Sequence, residues 1–258
     1  MSKLTKEKFV RVAGDVISNE AGGKLSILSK NEFDPVVEVL TDAFQKDPVL
    51  LWMAAESKDK KDELKQHITI GMSWAIRPIL VRGKGVVIGV KDGGGEDTAQ
   101  GDQIVGAVSL SSSDQYDSIL DILTSLFALG KPLTMKSEFK KEFGPMSEKR
   151  MKLLFILSKK RVEIMRTEKL PNYIYIRQIG VMMEHQGKGL GGKLLRTIIR
   201  IAELLGNTAL YLETESEENE SLYIHFGFKT VEKLELSVPG DTSKDAVQTM
   251  WLMVRPPG

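Results

Sequence analysis

Hydrophobic and polar positions follow two periods along this chain, and the changes of period divide it into strands and helices. Seven runs have the alternation, or the β-branched and aromatic content, typical of strands: 24–28, 85–90, 104–110, 173–181, 209–213, 230–236 and 246–254. Apolar residues recur at helical spacing in five others: after Asp34, near 62–76, from about 115 to 168, from 190 to 205, and from 217 to 226. This order predicts an α/β or α+β domain with a mixed, twisted central sheet flanked by helices.

Breaker residues set the predicted boundaries. Asp34 before Pro35 is typical of a helix start, and a helix should end before Pro48. The polar, glycine-rich 91–102 predicts a loop between two antiparallel strands. We therefore expect an N-terminal arm over 1–23 and one domain over 24–258, with a helical insertion at about 115–168.

Composition narrows the classes of function. The 258 residues include 36 basic and 35 acidic side chains, a near balance that argues against a dedicated nucleic-acid-binding protein. There are no cysteines, which excludes disulfides, thiol nucleophiles and cysteine-ligated metals. No apolar run is long enough to span a bilayer, and the N-terminus is charged where a secretory signal needs an apolar core. These features predict a soluble cytoplasmic protein without a membrane partner.

The most informative segment is Gln186–Gly192, which follows a predicted strand and opens a predicted helix. Glycines let the backbone turn its N–H groups toward an anion, and a helix N-terminus adds its dipole, so the segment suits a pyrophosphate. Gly187, Gly189 and Gly192 fit the dinucleotide pattern G-x-G-x-x-G, with Glu213 near the place of its acidic residue. The polar link between Val181 and the first glycine argues against that pattern. A glycine-rich turn without a ligand is the third alternative.

Gln186, Gly189 and Gly191 also spell Q-x-x-G-x-G, and here the sequence resembles a known family. The run IGVMMEHQGKGLGGKLL is similar to the acetyl-CoA motif of the GNAT superfamily, and LYLETESEENESLYIHFGFKTV to its second motif. The resemblance is close over 173–254 and loose over 33–52, and is nearest to small-molecule acetyltransferases of the puromycin N-acetyltransferase type. It implies the GNAT fold, acetyl-CoA as cosubstrate, and direct attack by a primary amine of a small molecule in a ternary complex.

The same resemblance assigns roles to individual residues. It implies that backbone groups of Ile179 and Val181 and the side chain of Asn219 contact the acetyl-pantetheine arm. It implies that Tyr223 is the general acid that protonates the leaving thiolate. The implied pyrophosphate cradle comprises Gln186, Gly187, Lys188, Gly189, Leu190, Gly191 and Gly192.

Several alternatives stay open at this point. The first candidate for the general base is Glu213, with Tyr175 acting through water and His225 as the others. The acceptor could instead be a protein lysine or N-terminal amine, or the chain could be a non-catalytic acyl-CoA-binding module. A homodimer is also left open. The three histidines lack the spacing of a metal-binding pair, so we predict no catalytic metal.

Overall fold

The computed structural model describes residues 4–20, 24–53, 61–92, 103–115, 146–237 and 247–258. Within these ranges the strands are β1 Leu25–Ile27, β2 Val86–Asp92, β3 Gln103–Ser112, β4 Tyr173–Val181, β5 Ala209–Thr214, β6 Lys229–Ser237 and β7 Val247–Arg255. The helices are α1 Lys6–Ser18, α2 Phe33–Ala43, α3 Pro48–Met53, α4 Lys61–Leu80, α5 Met146–Thr167, α6 Leu190–Leu204 and α7 Glu217–His225.

All seven strands form one mixed sheet in the order β1-β2-β3-β4-β5-β7-β6. Every neighbouring pair is antiparallel except β4 and β5, which run parallel. Parallel neighbours need a long crossover, and α6 provides it. The predicted fold class, a mixed sheet flanked by helices, is confirmed.

Helices cover both sides of the sheet and create two cores. We call the side covered by α2, α3, α4 and α5 the first face; its core includes Leu40, Ile76 and Tyr211. The second face is covered by α1, α6 and α7, and its core includes Ile198 and Leu210. Because side chains alternate along a strand, successive residues of β5 serve different cores.

The N-terminal residues contribute to this architecture. Residues 6–18 form α1, whose Phe9 and Ala13 are fully buried in the second-face core beside α6. The expected division into an arm over 1–23 and a domain over 24–258 remains a prediction. The expected loop over 91–102 begins later than predicted, because Lys91 and Asp92 still pair with β3 as part of β2; its remainder, 93–102, and most of the expected insertion, 116–145, lie outside the described residues.

Two helix starts differ from the expectation. Helix α2 begins at Phe33 and not after Asp34, because a 3-10 turn over Lys30–Glu32, closed by a capping box of Ser29 and Glu32, runs directly into it. The sequence pattern also missed α3, which begins at Pro48. Asp47 Oδ1 accepts a hydrogen bond from Leu50 N at 2.7 Å and so caps this short helix.

No helix among the described residues is both long and apolar enough to cross a membrane.

Candidate active site

The two central strands separate after three paired positions. Tyr175 opposite Tyr211 is the last pair between β4 and β5, yet β4 continues to Val181 and β5 to Thr214. Their outer neighbours hold them apart, since β4 stays paired with β3 and β5 with β7. A register shift in β4 that leaves Arg177 without an opposite residue adds a local bend. We call the resulting gap, bounded by 176–181 and 212–214, the wedge.

The glycine segment lies at the open end of the wedge. Gly187 and Gly189 have φ angles of 75° and 77°, in the left-handed region that favours glycine. A Cβ at either position would meet no atom within 4 Å, so the backbone borders open space. No described side chain caps α6, which leaves the N–H groups of its first turn for a ligand. The segment therefore has the geometry of an anion site.

Hydrogen bonds hold this segment against the sheet and α2. Gln186 Nε2 donates to the carbonyl of Val181 at 3.0 Å, and Met183 N donates to Asp42 Oδ2 at 2.7 Å. His185 adds contacts at 3.0 Å with Asp92 Oδ2 and at 3.1 Å with Glu184 Oε1. The Gln186 side chain thus holds the loop to the end of β4.

Two cations adjoin the anion site. Lys188, which the sequence motif contains, is exposed, and its Nζ lies 3.3 Å from Nδ1 of His185. Arg196, which the sequence reasoning missed, reaches back over the first turn of α6, where its Nη1 would lie 3.3 Å from a Cβ on Gly192. Its position four residues after Gly192, on the same helix face, was the available signal.

Tyr223 lies on the second face, near the end of β5. Its side chain is buried, and its ring meets Phe228 edge-on at a centroid distance of 5.6 Å. Burial, and then the negative charge of Glu215, raise the pKa of the Tyr223 phenol above its usual value. The phenol is therefore protonated at neutral pH and has a proton to donate.

Asn219 is one turn before Tyr223 on α7. Its backbone N–H donates to Ser216 Oγ at 3.2 Å, the bond that begins this helix. Residues four apart share a helix face, so Asn219 and Tyr223 face the same way. His225, by contrast, is exposed, and its ring packs edge-on against Phe226 at 5.4 Å.

Glu213 lies on the first face, two residues beyond the last pair of the parallel strands. Its side chain is 5% exposed, and its Oε1 lies 4.0 Å from Nη1 of Arg161 on α5. Burial raises the pKa of the Glu213 carboxyl, and the guanidinium of Arg161 opposes that rise without cancelling it. Among the described residues, Oε1 has no hydrogen-bond partner. Hydrogen bonding by Tyr175 and Tyr211 also lowers the pKa of this carboxyl, and Oε1 keeps the capacity to accept a proton.

Tyrosines surround this carboxyl. The Tyr211 ring lies 5.6 Å from the Tyr175 ring and 6.5 Å from the Tyr173 ring, by centroids. Burial, and then the neighbouring Glu213, raise the pKa of the Tyr175 phenol well above its ordinary value. Tyr175 is thus a neutral hydrogen-bonding group at physiological pH.

A second acidic group on the first face was not found from the sequence. Glu215 is hydrogen-bonded to Asp47, the residue that caps α3. Burial, and then the neighbouring Asp47 carboxyl, raise the pKa of Glu215 well above its usual range. Asp47 and Glu215 are far apart along the chain and meet only in the folded structure.

Comparisons with known proteins agree with this geometry. Residues 155–228, from α5 through the glycine segment and β5 to α7, match the acetyltransferase (GNAT) family. An uncharacterized N-acetyltransferase of Schizosaccharomyces pombe is 26% identical over 199 residues, covering 76% of this chain and 70% of that protein.

Solved structures share the fold at low sequence identity. A mosquito arylalkylamine N-acetyltransferase-like 5b matches with a TM-score of 0.58 and 14% identity, covering 90% of this chain and 98% of that one. Arylalkylamine N-acetyltransferase 2 of Aedes aegypti matches with a TM-score of 0.55 and 14% identity, covering 90% and 97%. A polyamine N-acetyltransferase of Drosophila melanogaster matches at 0.51 and 15% identity, covering 90% and 99%. The family match over 155–228 and the S. pombe relative support an acetyltransferase domain of the GNAT type in this chain, and the solved structures share its fold.

Proposed function

We propose that the chain transfers the acetyl group of acetyl-CoA to the primary amine of a small molecule, by direct attack in a ternary complex. The proposal rests on the arrangement of groups around the wedge. The wedge has an anion site at one end, a protonated phenol on the second face and a buried carboxyl on the first face.

The cosubstrate site is proposed from the open backbone groups. The N–H groups of Gln186, Gly187, Lys188, Gly189, Leu190, Gly191 and Gly192 cradle the pyrophosphate, with charge from Lys188 and Arg196. The pantetheine arm lies along Ile179 and Val181, where β4 has lost its partner strand and can bind an extended amide chain as a sheet edge does. Asn219 contacts the same arm from α7.

The two faces of the sheet divide the proton transfers. Glu213 on the first face accepts a proton from the incoming ammonium, and the free amine attacks the thioester carbonyl. A backbone N–H near Val181 stabilises the tetrahedral oxyanion that forms. As the C–S bond breaks, Tyr223 on the second face donates its proton to the sulfur, and the attacking nitrogen gives up its second proton to water as the amide forms. Free CoA and the acetylated amine leave, and exchange with water returns Tyr223 and Glu213 to their starting protonation states.

The base assignment has a competitor in the Asp47–Glu215 pair. An ionised carboxyl of this pair can also take a proton from an ammonium group, and the pair lies on the same first face. Glu213 is preferred because it lies two residues beyond the last pair of β4 and β5, and its Oε1 accepts no hydrogen bond from the described residues. Tyr175 in the same cluster could relay the proton through water.

A small-molecule acceptor is supported by the fold neighbours, whose names describe arylalkylamine and polyamine N-acetyltransferases. A lysine or N-terminal amine of a protein is the alternative acceptor. A non-catalytic acyl-CoA-binding role would leave Glu213 and Tyr223 without a task.

Two measurements test the proposal. Thermal unfolding should shift upward with acetyl-CoA and not with NADH; a ligand at about a hundred times its Kd adds about 2.7 kcal/mol. Release of free thiol should then depend on an arylalkylamine or a polyamine, with a lysine peptide as the comparison. Stabilisation by NADH alone would refute the acetyl-CoA site, and binding without turnover on any amine would favour the non-catalytic role.

A further inference from the structure

Arg161 is a buried cation in the middle of a largely solvent-facing helix. Its side chain is 3% exposed, whereas the neighbouring Lys159 and Val162 of α5 are exposed. Arginine is almost never fully buried unless it is paired. A partner for this guanidinium is therefore expected on the first face of the sheet.

The guanidinium lies in a pocket of aromatic rings and one carboxyl. Its Cζ lies 4.5 Å from the centroid of the Tyr175 ring, and its Nη1 lies 4.0 Å from Glu213 Oε1. Burial lowers the pKa of Arg161, but Tyr175, Glu213, Tyr173 and Tyr211 outweigh burial, so the net pKa is raised. The cation is therefore permanent at any pH at which the protein is folded.

This pocket coincides with the point where the wedge begins. Tyr175 and Tyr211 form the last pair between β4 and β5, and Glu213 follows two residues later on the same side of β5. Arg161 reaches this point from a different element, so it ties α5 to the start of the wedge. It lies at 4.0 Å from Oε1 and leaves that oxygen without a hydrogen bond.

We propose that Arg161 is a positioning residue that keeps Glu213 ionised and oriented at the start of the wedge, so that Glu213 can accept the proton of the acceptor amine. The inference rests on the proposed function, in which Glu213 is the base. A carboxylate buried among tyrosines binds a proton readily, and a protonated carboxyl accepts none. The fixed charge of Arg161 opposes this protonation.

Arg161 is one of several groups that affect the pKa of Glu213, and the pH profile must distinguish its contribution from the others. The Cζ of Arg177 on β4 lies 5.5 Å from the Tyr175 ring. Burial raises the pKa of Tyr175 and of Tyr211, so these two phenols stay neutral. Glu215, the residue after β5, interacts with Glu213, and its own pKa is raised by burial and then by Asp47, the residue before α3. Substituting Arg161 alone changes one of these contributions.

The experiment compares the pH dependence of kcat/KM for wild type, Arg161→Met, Arg161→Lys and Glu213→Gln. Without the cation, the pKa of Glu213 rises, so the acidic limb of Arg161→Met should move to higher pH; a shift of one pH unit is about a tenfold loss on that limb. Arg161→Lys should return the limb toward its wild-type position, because it restores the charge. KM for acetyl-CoA should stay unchanged in all of them.

Arg161→Met leaves a buried carboxylate unpaired and could fail to fold, so the double variant Arg161→Met/Glu213→Gln is measured as well. We expect the first substitution to cost no further activity once Glu213 is gone. Lys160→Met is the matched control: it removes a cation from the adjacent position of α5, where Lys160 pairs with Glu232 at 2.6 Å, and should leave the limb in place.

The outcomes separate the two proposals. A lower melting temperature with an unmoved acidic limb in Arg161→Met, or an additive loss in the double variant, would show that Arg161 only stabilises the fold. Wild-type turnover in Glu213→Gln would instead remove Glu213 as the base, and with it this inference. Acetyl-CoA binding would survive either result.

Discussion

At the scale of single residues, the candidate acid and base approach the wedge from opposite faces of one sheet. Tyr223 belongs to the second-face core, and Glu213 lies under α5 on the first face. This separation suits the chemistry, because a proton leaves the amine on one side of the thioester and another reaches the sulfur on the other. It also keeps the two groups from neutralising each other.

The role of Tyr223 is tested by Tyr223→Phe, which keeps the ring that packs against Phe228. We expect kcat to fall by about a hundredfold, the lower end of the usual contribution of a general acid, with little change in KM or melting temperature. The measurement is steady-state release of free thiol. Unchanged kcat would show that the thiolate takes its proton from another donor, such as water.

The role of Glu213 predicts the pH dependence. A base must be ionised, so activity should fall as the pH drops through the pKa of Glu213. Burial has raised that pKa, which places the acidic limb of kcat/KM above the normal range of a glutamate. Glu213→Gln should abolish the limb together with most of the activity. If the limb persists in this variant, and is lost in Glu215→Gln, the Asp47–Glu215 pair is the base.

At the scale of elements, a glycine with a left-handed backbone conformation lies at each end of α6, but the two glycines have different roles. Gly189 precedes the helix with φ 77°, and Gly206 follows it with φ 88°. A Cβ at either position would meet nothing within 4 Å. Only Gly189 belongs to the candidate anion site, so the pair separates backbone strain from ligand binding.

Gly189→Ala and Gly206→Ala should therefore lose similar stability, about 1 kcal/mol each, from the left-handed conformation. Gly189→Ala should in addition weaken acetyl-CoA binding by about tenfold, or about 1.4 kcal/mol, because the strained turn relaxes away from the pyrophosphate. Titration calorimetry beside thermal unfolding checks both. Equal affinity in the two variants would place the pyrophosphate elsewhere.

The elements themselves were largely predictable. Strands β2 to β7 and helix α6 follow from local periodicity, and Gly206 ends α6 as a left-handed residue after the cap, as its position in the sequence indicates. The short α3 was missed, because six residues are too few to show a helical period. The start of α2 was misplaced, because a capped 3-10 turn over Lys30–Glu32 leads directly into the helix at Phe33.

At the scale of the whole molecule, close packing of α2 on β4 fixes the sheet side of the wedge. A Cβ on Gly180 would lie 2.7 Å from the Cβ of Ala43 and 3.3 Å from Leu40 Cδ2. The same helix accepts the hydrogen bond from Met183 N through Asp42. A change in the packing of Gly180 against α2 should therefore also shift the glycine segment.

Gly180→Ala should lower the free energy of unfolding by about 1–3 kcal/mol through overpacking. Acetyl-CoA affinity should fall with it, since α2 and its bond to Met183 must move. Gly14→Ala is the control: its Cβ would meet only Ile27 Cδ1 at 4.0 Å within helix α1, so the variant should gain about 0.5–1 kcal/mol. Chemical denaturation measures both, and a neutral Gly180→Ala would show that α2 can shift freely.

What the sequence by itself determined is local: the alternation of strands and helices, the glycine segment at a helix start, and the Asn219–Tyr223 spacing. These features depend on interactions between residues a few positions apart, and such interactions produce periodic patterns in the sequence. The tertiary structure decided where β4 and β5 part, which face each side chain serves, and which charges meet. Arg161 reaches Glu213, and Asp47 reaches Glu215, only because helices pack on one face of the sheet, and contacts between distant segments produce no such pattern.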